Sequence, residues 1–253
     1  MKIGLVQYDP KWEDKTENKL KLNSLLKENI GDIDLLIFPE MTLTGFTMRS
    51  EVYSENMESE SFKYFVGVAK EYECDIVAGI IEKNSGSHFN TLLHISREGI
   101  LENSYRKIHP FSYSNEDKHF TPGLEPVVTD INGWKAGLSI CYDLRFPELY
   151  RFYGKEKTEL IIVIANWPDT RIEHWRTLLK ARAIENQCYV AGVNRVGDDP
   201  KLHYTGCSSV FDPMGKELVS IENKEKLITV KIDKNYVKEV RNKFPFLEDI
   251  KLV

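Results

Sequence analysis

Short apolar runs alternate with amphipathic stretches in the first third of the chain. Residues 3–8 and 34–40 are rich in aliphatic side chains, which is typical of buried strands. Between them, apolar residues recur mostly with helical spacing, which predicts a helix that Gly31 is positioned to end. The apolar stripe of this helix consists of Leu20, Leu22, Leu25, Leu26 and Ile30. Residues 61–72 predict another amphipathic helix and residues 75–81 another strand, so the alternation favours a layered α/β fold.

The rest of the chain is richer in predicted strands. Residues 97–99 and the Asn-Gly pair after residue 131 each separate two strand-like runs and predict hairpins, the second with a type I′ turn. The strand-like runs are residues 89–96, 100–106, 126–131, 134–140, 160–165, 188–193, 208–211, 216–220 and 227–232. Thr170 and Glu173 have the spacing of a capping box, which predicts a helix over residues 172–185.

No Gly-, Ser- or Pro-rich linker and no block of like charges divides the chain. We therefore expect one domain, residues 1–253, in which two β-sheets face each other with helices outside. Residues 44–60 and 108–123 are predicted to be loops, which is where substrate contacts and lids are expected.

Composition and charge exclude several classes of protein. A net charge of −5 gives no reason to expect a nucleic acid or an anionic membrane as a partner. The longest apolar runs are only as long as strands, so no transmembrane helix is expected. The apolar stretch at the first residues is too short for the hydrophobic region of a signal peptide. These features predict a cytoplasmic protein.

The four cysteines, Cys74, Cys141, Cys188 and Cys207, lie far apart and form no CxxC pair. In a reducing compartment a disulfide framework is therefore not expected. The six histidines form no spaced cluster with the cysteines, so no metal site is expected either. Cys74 and Cys188 begin apolar runs and are interpreted as core residues, and Cys207 is given the same interpretation.

Cys141 has a different setting, because it directly follows the apolar run 134–140 and precedes polar residues and a helix that begins with proline. A thiol at a strand-to-helix turn presents a nucleophile to a cleft beside free backbone N–H groups. A buried structural cysteine is the alternative interpretation. The neighbouring Tyr142, Asp143 and Arg145 argue against an apolar burial site.

Glu40, Lys107 and Asn166 stand at other predicted strand ends, where α/β folds gather their catalytic groups. Taken singly, Glu40 and Lys107 would be interpreted as solvated surface charges. Together, a carboxylate could take the proton of the Cys141 thiol, and an ammonium with the Tyr142 backbone N–H could stabilise an oxyanion. Attack of the thiolate on a carbonyl would give a thioester, which water would hydrolyse. No metal or organic cofactor is expected.

Three motifs resemble the nitrilase superfamily of carbon–nitrogen hydrolases, whose catalytic Glu, Lys and Cys occur in this order. They are Phe38-Pro39-Glu40, Tyr105-Arg106-Lys107 and Cys141-Tyr142-Asp143-Leu144-Arg145-Phe146-Pro147-Glu148. The match runs over residues 3–246, and Glu116 matches a second glutamate of the family, whose implied role is to position the lysine or the substrate. The resemblance implies an αββα four-layer sandwich that forms a homodimer or a higher homo-oligomer.

Within the superfamily the sequence most resembles the omega-amidases, on residues 165–168, 171–175, 181–192, 194–197 and 243–246. This resemblance implies hydrolysis of the terminal amide of a small 2-oxo acid, such as 2-oxoglutaramate or 2-oxosuccinamate, with water. The substrate carboxylate is expected to bind Arg145, for which a structural ion pair with Asp143 or Glu148 is the alternative. Phe46 and Trp167 are expected to be pocket walls, and Asn166 is a further candidate for substrate binding.

Two alternatives remain open at the level of the sequence. N-carbamoyl amidases and true nitrilases share much of this motif vocabulary and would be distinguished only by substrate. The chain could also be a non-catalytic binding module on a hydrolase fold. The presence of Glu40, Lys107 and Cys141 together counts against that second alternative.

Overall fold

The computed structural model describes residues 1–29 and 31–252, and Ile30 of the predicted apolar stripe lies outside them. The strands are β1 (Lys2–Gln7), β2 (Leu35–Ile37), β3 (Asp75–Asn84), β4 (Ser87–Ile95), β5 (Leu101–Arg106), β6 (Val128–Ile131), β7 (Trp134–Ile140), β8 (Leu160–Ala165), β9 (Tyr189–Asn194), β10 (Val196–Asp198), β11 (His203–Phe211), β12 (Glu217–Glu222) and β13 (Lys226–Lys231). The helices are α1 (Lys15–Asn29), α2 (Ser50–Tyr53), α3 (Glu60–Glu71), α4 (Pro147–Lys155), α5 (Ile172–Asn186) and α6 (Lys234–Lys243).

The strands form two mixed sheets. The first has the order β13-β1-β2-β3-β4-β5, and the second has the order β10-β11-β9-β8-β7-β6, with β12 paired to β11. In each sheet three neighbouring strands are parallel: β1, β2 and β3 in the first, and β7, β8 and β9 in the second. In both sheets, antiparallel strands flank these three parallel strands. The carboxyl ends of the parallel strands therefore lie at one edge of each sheet.

Side chains alternate between the two faces of each strand, which explains why the sheets pack as layers. In β2, Leu35 and Ile37 belong to the large core between the sheets, whereas Leu36 packs with residues of α1 and α3. On the other side, α5 places the buried side chains of Trp175 and Leu179 against the second sheet. The order is helix, sheet, sheet, helix, which confirms the predicted αββα sandwich.

Two local features differ from the sequence predictions. β3 continues to Asn84 and turns through Ser85 and Gly86, both with positive φ, into a hairpin with β4 that the sequence analysis did not include. The predicted capping box is wrong: a 3-10 turn, Asp169–Arg171, precedes α5, and the N-cap residue is Arg171 without a side-chain cap bond. Thr170 lies inside that turn and so cannot cap the helix.

The type I′ hairpin is confirmed, since Asn132 and Gly133 have φ values of 52° and 78° between the paired strands β6 and β7. Cys74, Cys188 and Cys207 are buried, as their interpretation as core residues required. Within residues 1–29 and 31–252, no helix is long and apolar enough to cross a membrane. The single domain, the homo-oligomer and the cytoplasmic location stay predictions.

Candidate active site

Cys141 occupies a tight turn at the end of β7. It begins the 3-10 helix Cys141–Arg145 with a φ of 48°, a left-handed conformation that residues with a side chain rarely adopt. Buried Asp143 holds this turn: one carboxylate oxygen accepts the Ile140 N–H at 3.0 Å and the Tyr105 hydroxyl at 2.8 Å. The other oxygen accepts the His109 N–H at 3.0 Å. The turn is thus fixed by a side chain that the sequence analysis did not assign to the site.

Glu40 lies three residues beyond β2 in a buried turn. Its Oε1 accepts hydrogen bonds from Lys107 Nζ at 2.9 Å and from Asn90 Nδ2 at 2.7 Å. Its Oε2 accepts the backbone N–H of Asn166, directly after β8, at 2.8 Å. The carboxylate therefore connects groups from both sheets.

A glycine on the neighbouring strand allows the Glu40 turn to come so close. A Cβ at Gly79 of β3 would lie 2.6 Å from the Met41 nitrogen and 2.8 Å from the Cα of Glu40. Side-chain carbons do not approach backbone atoms at such distances. Met41, with a φ of 44°, completes the turn in the left-handed region, so this backbone path depends on the absence of a side chain at residue 79.

Lys107 directly follows β5 and is enclosed by two carboxylates. Its Nζ lies 2.9 Å from Glu40 Oε1 and 2.8 Å from Glu116 Oε2, and all three side chains are at most 1% exposed. Burial alone would lower the pKa of Lys107, but the charges of Glu116 and Glu40 outweigh it and hold that pKa above its ordinary value. The lysine is therefore an ammonium ion, held by hydrogen bonds on two sides.

Glu116 supports this lysine from the loop that follows β5. Burial raises the pKa of Glu116, while the Lys107 ammonium opposes that rise. The carboxylate also accepts the Phe111 N–H at 2.5 Å and Asn90 Nδ2 at 2.9 Å. Asn90 thus donates to both buried carboxylates. No distinctive sequence signal marks Asn90, because β4 also contains other polar residues.

The Cys141 thiol is protonated in this environment. Burial raises the pKa of Cys141 well above its ordinary value, the Glu40 and Glu116 carboxylates raise it further, and Lys107 opposes them. Glu40 is the carboxylate with the larger effect on the thiol. A thiol in this state needs a base to take its proton before it can attack a carbonyl.

Cys141 lines a small cleft between the ends of the strands and their loops. The other lining residues are Phe46, Phe111, Ser114, Tyr142, Arg145, Asn166, Trp167, Pro168, Arg171, Leu202 and Tyr204. The predicted pocket walls Phe46 and Trp167 are among them, as are Tyr142 and Asn166. Phe46 also covers the lysine, since its ring centroid lies 5.2 Å from Lys107 Nζ.

Arg145 reaches the same cleft. Its guanidinium lies 4.7 Å from the ring centroid of Trp167, and its Nη2 donates to His174 Nδ1 at 3.2 Å. In the described part of the chain, Arg145 forms no ion pair with Asp143 or Glu148. The structure therefore does not contain the structural ion pair that was the alternative interpretation. Arg171, at the start of α5, also lines the cleft and was not assigned to the site from the sequence.

The carbon–nitrogen hydrolase family model matches residues 2–242. A 2-oxoglutaramate amidase from Bacillus subtilis strain 168 is 33% identical, covering 98% of this chain and 97% of that protein. A protein described as a hydrolase in the agr operon of Staphylococcus aureus is 32% identical, covering 100% and 98%. The solved structure of a CN-hydrolase superfamily protein from Xanthomonas campestris, with an arsenic adduct in its active site, is 34% identical with a TM-score of 0.96 and covers 100% of this chain and 98% of that one.

These matches span the whole chain and agree with the three motifs that resemble the nitrilase superfamily. Sequence, fold and relatives thus lead to the same assignment: the chain belongs to the carbon–nitrogen hydrolase family and is an enzyme of the amidase kind.

Proposed function

We propose that this amidase hydrolyses the terminal amide of a short 2-oxo acid, such as 2-oxoglutaramate or 2-oxosuccinamate, to the dicarboxylate and ammonia. The observation that carries the proposal is a small cleft that extends from the Cys141 thiol to the Arg145 guanidinium, which has no carboxylate partner among the described residues. A substrate with an amide at one end and a carboxylate at the other fits this arrangement. The name of the Bacillus subtilis relative supports the same substrate class.

In the first half of the reaction, Glu40 takes the thiol proton while the Cys141 sulfur attacks the amide carbonyl carbon. The oxyanion that forms is stabilised by the Lys107 ammonium and the Tyr142 backbone N–H. Glu40 then returns the proton to the amide nitrogen, the carbon–nitrogen bond breaks, and ammonia leaves a thioester on Cys141. Glu116 keeps Lys107 in place for this step, as their 2.8 Å contact supports.

In the second half, water enters where ammonia has left. Glu40 takes one proton of the water while its oxygen attacks the thioester carbonyl. The carbon–sulfur bond then breaks, and the sulfur recovers its proton from Glu40 as the dicarboxylate is released. The same two oxyanion donors serve both halves, because both pass through a tetrahedral intermediate at the same carbon.

The remaining cleft residues bind the substrate. Arg145 holds its carboxylate, while Phe46 and Trp167 form the walls on either side of the carbon chain. Asn166 has a buried Oδ1 with no hydrogen-bond partner among the described residues, and the amide NH₂ of the substrate would supply the donor.

Ammonia release from four compounds tests the substrate class. We expect 2-oxoglutaramate to have a higher kcat/KM than glutamine, an N-carbamoyl amino acid or a simple nitrile. A preference for the carbamoyl compound or the nitrile would instead assign the chain to one of those branches of the superfamily.

Lys107→Met should lower kcat by about 10²–10³, the usual cost of losing one donor to an oxyanion. Methionine fills a similar volume, but it leaves the Glu40 and Glu116 carboxylates without the cation that lies between them. Steady-state kinetics and circular dichroism should be measured together, because the two unpaired carboxylates also cost stability. A folded variant with near-normal kcat would remove Lys107 from the mechanism.

Arg145→Ala should raise the KM for 2-oxoglutaramate by roughly ten- to a hundredfold, the range for a lost hydrogen-bonded charge contact. The KM for an uncharged amide such as butyramide should change far less, because that substrate has no carboxylate to bind. Arg151→Ala is the matched control, since Arg151 pairs with Glu185 outside the cleft. Equal losses on both substrates would mean that Arg145 only supports the structure.

A further inference from the structure

Two guanidinium groups, those of Arg145 and Arg171, reach the cleft. Arg145 donates to His174 Nδ1 at 3.2 Å, and Arg171 donates to Thr170 Oγ1 at 3.5 Å. Within the described residues, neither forms a salt bridge. Burial and the positive charge of Arg171 together lower the pKa of Arg145, which means that the two charges act on each other.

Unpaired arginines are unusual in this protein. Seven others each lie within 4.0 Å of a carboxylate: Arg49, Arg97, Arg106, Arg151, Arg176, Arg182 and Arg195. Arg241 donates to backbone carbonyls instead. Across the part of the chain that the structure describes, the two positive charges at the cleft therefore lack a carboxylate partner, which is the arrangement of an anion site.

One tryptophan locates both arginines. The Trp167 ring lies 4.7 Å from the Arg145 guanidinium, while its Nε1 donates to the backbone carbonyl of Arg171 at 2.8 Å. The Arg171 guanidinium lies 5.7 Å from the ring centroid of Phe111, another cleft residue. The backbone of Arg171 is thus fixed, and its charged end faces aromatic surface, not a carboxylate.

We propose that Arg171 is a specificity-determining residue, which forms with Arg145 a two-guanidinium site for the 2-oxo carboxylate end of the substrate. This inference rests on the proposed function. A 2-oxo carboxylate presents three oxygen acceptors, of which one guanidinium fork can satisfy two. The second guanidinium supplies donors to the third oxygen, the 2-oxo group.

The same site excludes a 2-amino acid amide such as glutamine. At the position of the 2-oxo oxygen, glutamine carries an ammonium group, which two guanidinium charges repel. Among the residues that line the cleft, none is Asp or Glu, so no carboxylate there can receive the ammonium. Glu40 and Glu116 lie deeper and are engaged with Lys107.

Arg171→Gln tests the inference, with Arg176→Gln as the matched control in the first turns of α5, the helix that follows Arg171; Arg176 pairs with Glu217 outside the cleft. The kcat/KM for 2-oxoglutaramate should fall about ten- to a hundredfold, the range for one lost charge-assisted contact. For butyramide and for glutamine it should not fall, so the preference for the 2-oxo acid should shrink. An equal loss on all three substrates would make Arg171 structural and overturn the inference.

A binding experiment gives a second readout that needs no turnover. Calorimetric titration with the product 2-oxoglutarate should give a dissociation constant about ten- to a hundredfold weaker for Cys141→Ala/Arg171→Gln than for Cys141→Ala alone. The same dissociation constant in both proteins would overturn the inference. Failure of the proposed function is distinguishable, because it would be seen in the wild type as poor turnover of 2-oxoglutaramate before any arginine is changed.

Discussion

Cys141→Ala should leave a folded protein with no measurable turnover. The sulfur forms the covalent thioester in the first half of the proposed reaction and is the leaving group in the second, and removal of a catalytic nucleophile costs on the order of 10⁶ in kcat. Alanine is smaller than cysteine and can remain in the turn that Asp143 holds, so we expect thermal unfolding to change little. Ammonia release and a melting curve on the same preparation measure both quantities.

Cys207→Ala is the matched control for this prediction. Cys207 is buried like Cys141, has a similar positive φ of 57°, and likewise has a raised pKa, about 11, mainly because of burial. It lies outside the cleft, in β11, where its carbonyl accepts the Trp175 indole N–H. We expect a cost in stability and an unchanged kcat. An active Cys141→Ala enzyme would contradict the entire mechanism.

The strand ends of the site were predictable because periodicity and motif spacing are local. Lys107 and Cys141 stand directly after β5 and β7, as the apolar runs before them indicate. The position of Glu40 depends less on its local sequence. It lies three residues past β2, and its turn can approach the sheet only because residue 79 on another strand is glycine. A pattern read along one segment contains no information about that contact.

Asn90 and Asp143 could not be assigned to the site for the same reason. Asn90 is 50 residues from Glu40 in sequence yet donates to it at 2.7 Å, across strands that only the folded sheet brings together. Asp143 appears in the sequence as a polar neighbour of the nucleophile, whereas its function is to accept hydrogen bonds from Ile140, Tyr105 and His109. Apart from the local Ile140 bond, these contacts are long-range: the Asn90–Glu40 bond forms at the first sheet, and Tyr105 and His109 reach Asp143 from that sheet and the loop after it.

At the incorrect capping box, a different local contact is formed in place of the predicted one. The Trp167 indole holds the Arg171 carbonyl at 2.8 Å, and the chain between them forms a 3-10 turn that contains Thr170. The same contact brings Arg171 to the cleft. Thr170 therefore does not form the predicted N-cap, and Arg171, the residue after it, lines the cleft.

The two buried carboxylates differ in what they can do. Both accept hydrogen bonds from Lys107 and Asn90, and each also accepts one backbone N–H, from Phe111 at Glu116 and from Asn166 at Glu40, so the donors alone do not separate them. Glu40 has the stronger effect on the pKa of Cys141 of the two and shares Asn166 with the thiol, whose sulfur lies 3.9 Å from the Asn166 carbonyl. The proton acceptor for the thiol is therefore expected to be Glu40.

Glu40→Gln should lower kcat by about 10²–10⁴, the usual contribution of a general base. The amide keeps the shape of the carboxylate and can still accept the Asn166 N–H, but it cannot take a proton. Without the Glu40 charge, one cause that raises the pKa of Cys141 is also lost. The remaining activity should then increase with pH as the thiol ionises by itself, which a pH profile of kcat would show.

Glu82→Gln controls for the loss of a buried, paired carboxylate outside the cleft. Glu82 on β3 is buried and lies 2.5 Å from Arg106, whose side chain is 35% exposed, so this change removes the charge of a buried, paired carboxylate without touching the thiol. We expect it to lower the melting temperature and to leave kcat and its pH profile unchanged. If Glu40→Gln behaved like Glu82→Gln, with stability lost but turnover kept, Glu40 would be structural, and Glu116 would be the remaining carboxylate to act as the base.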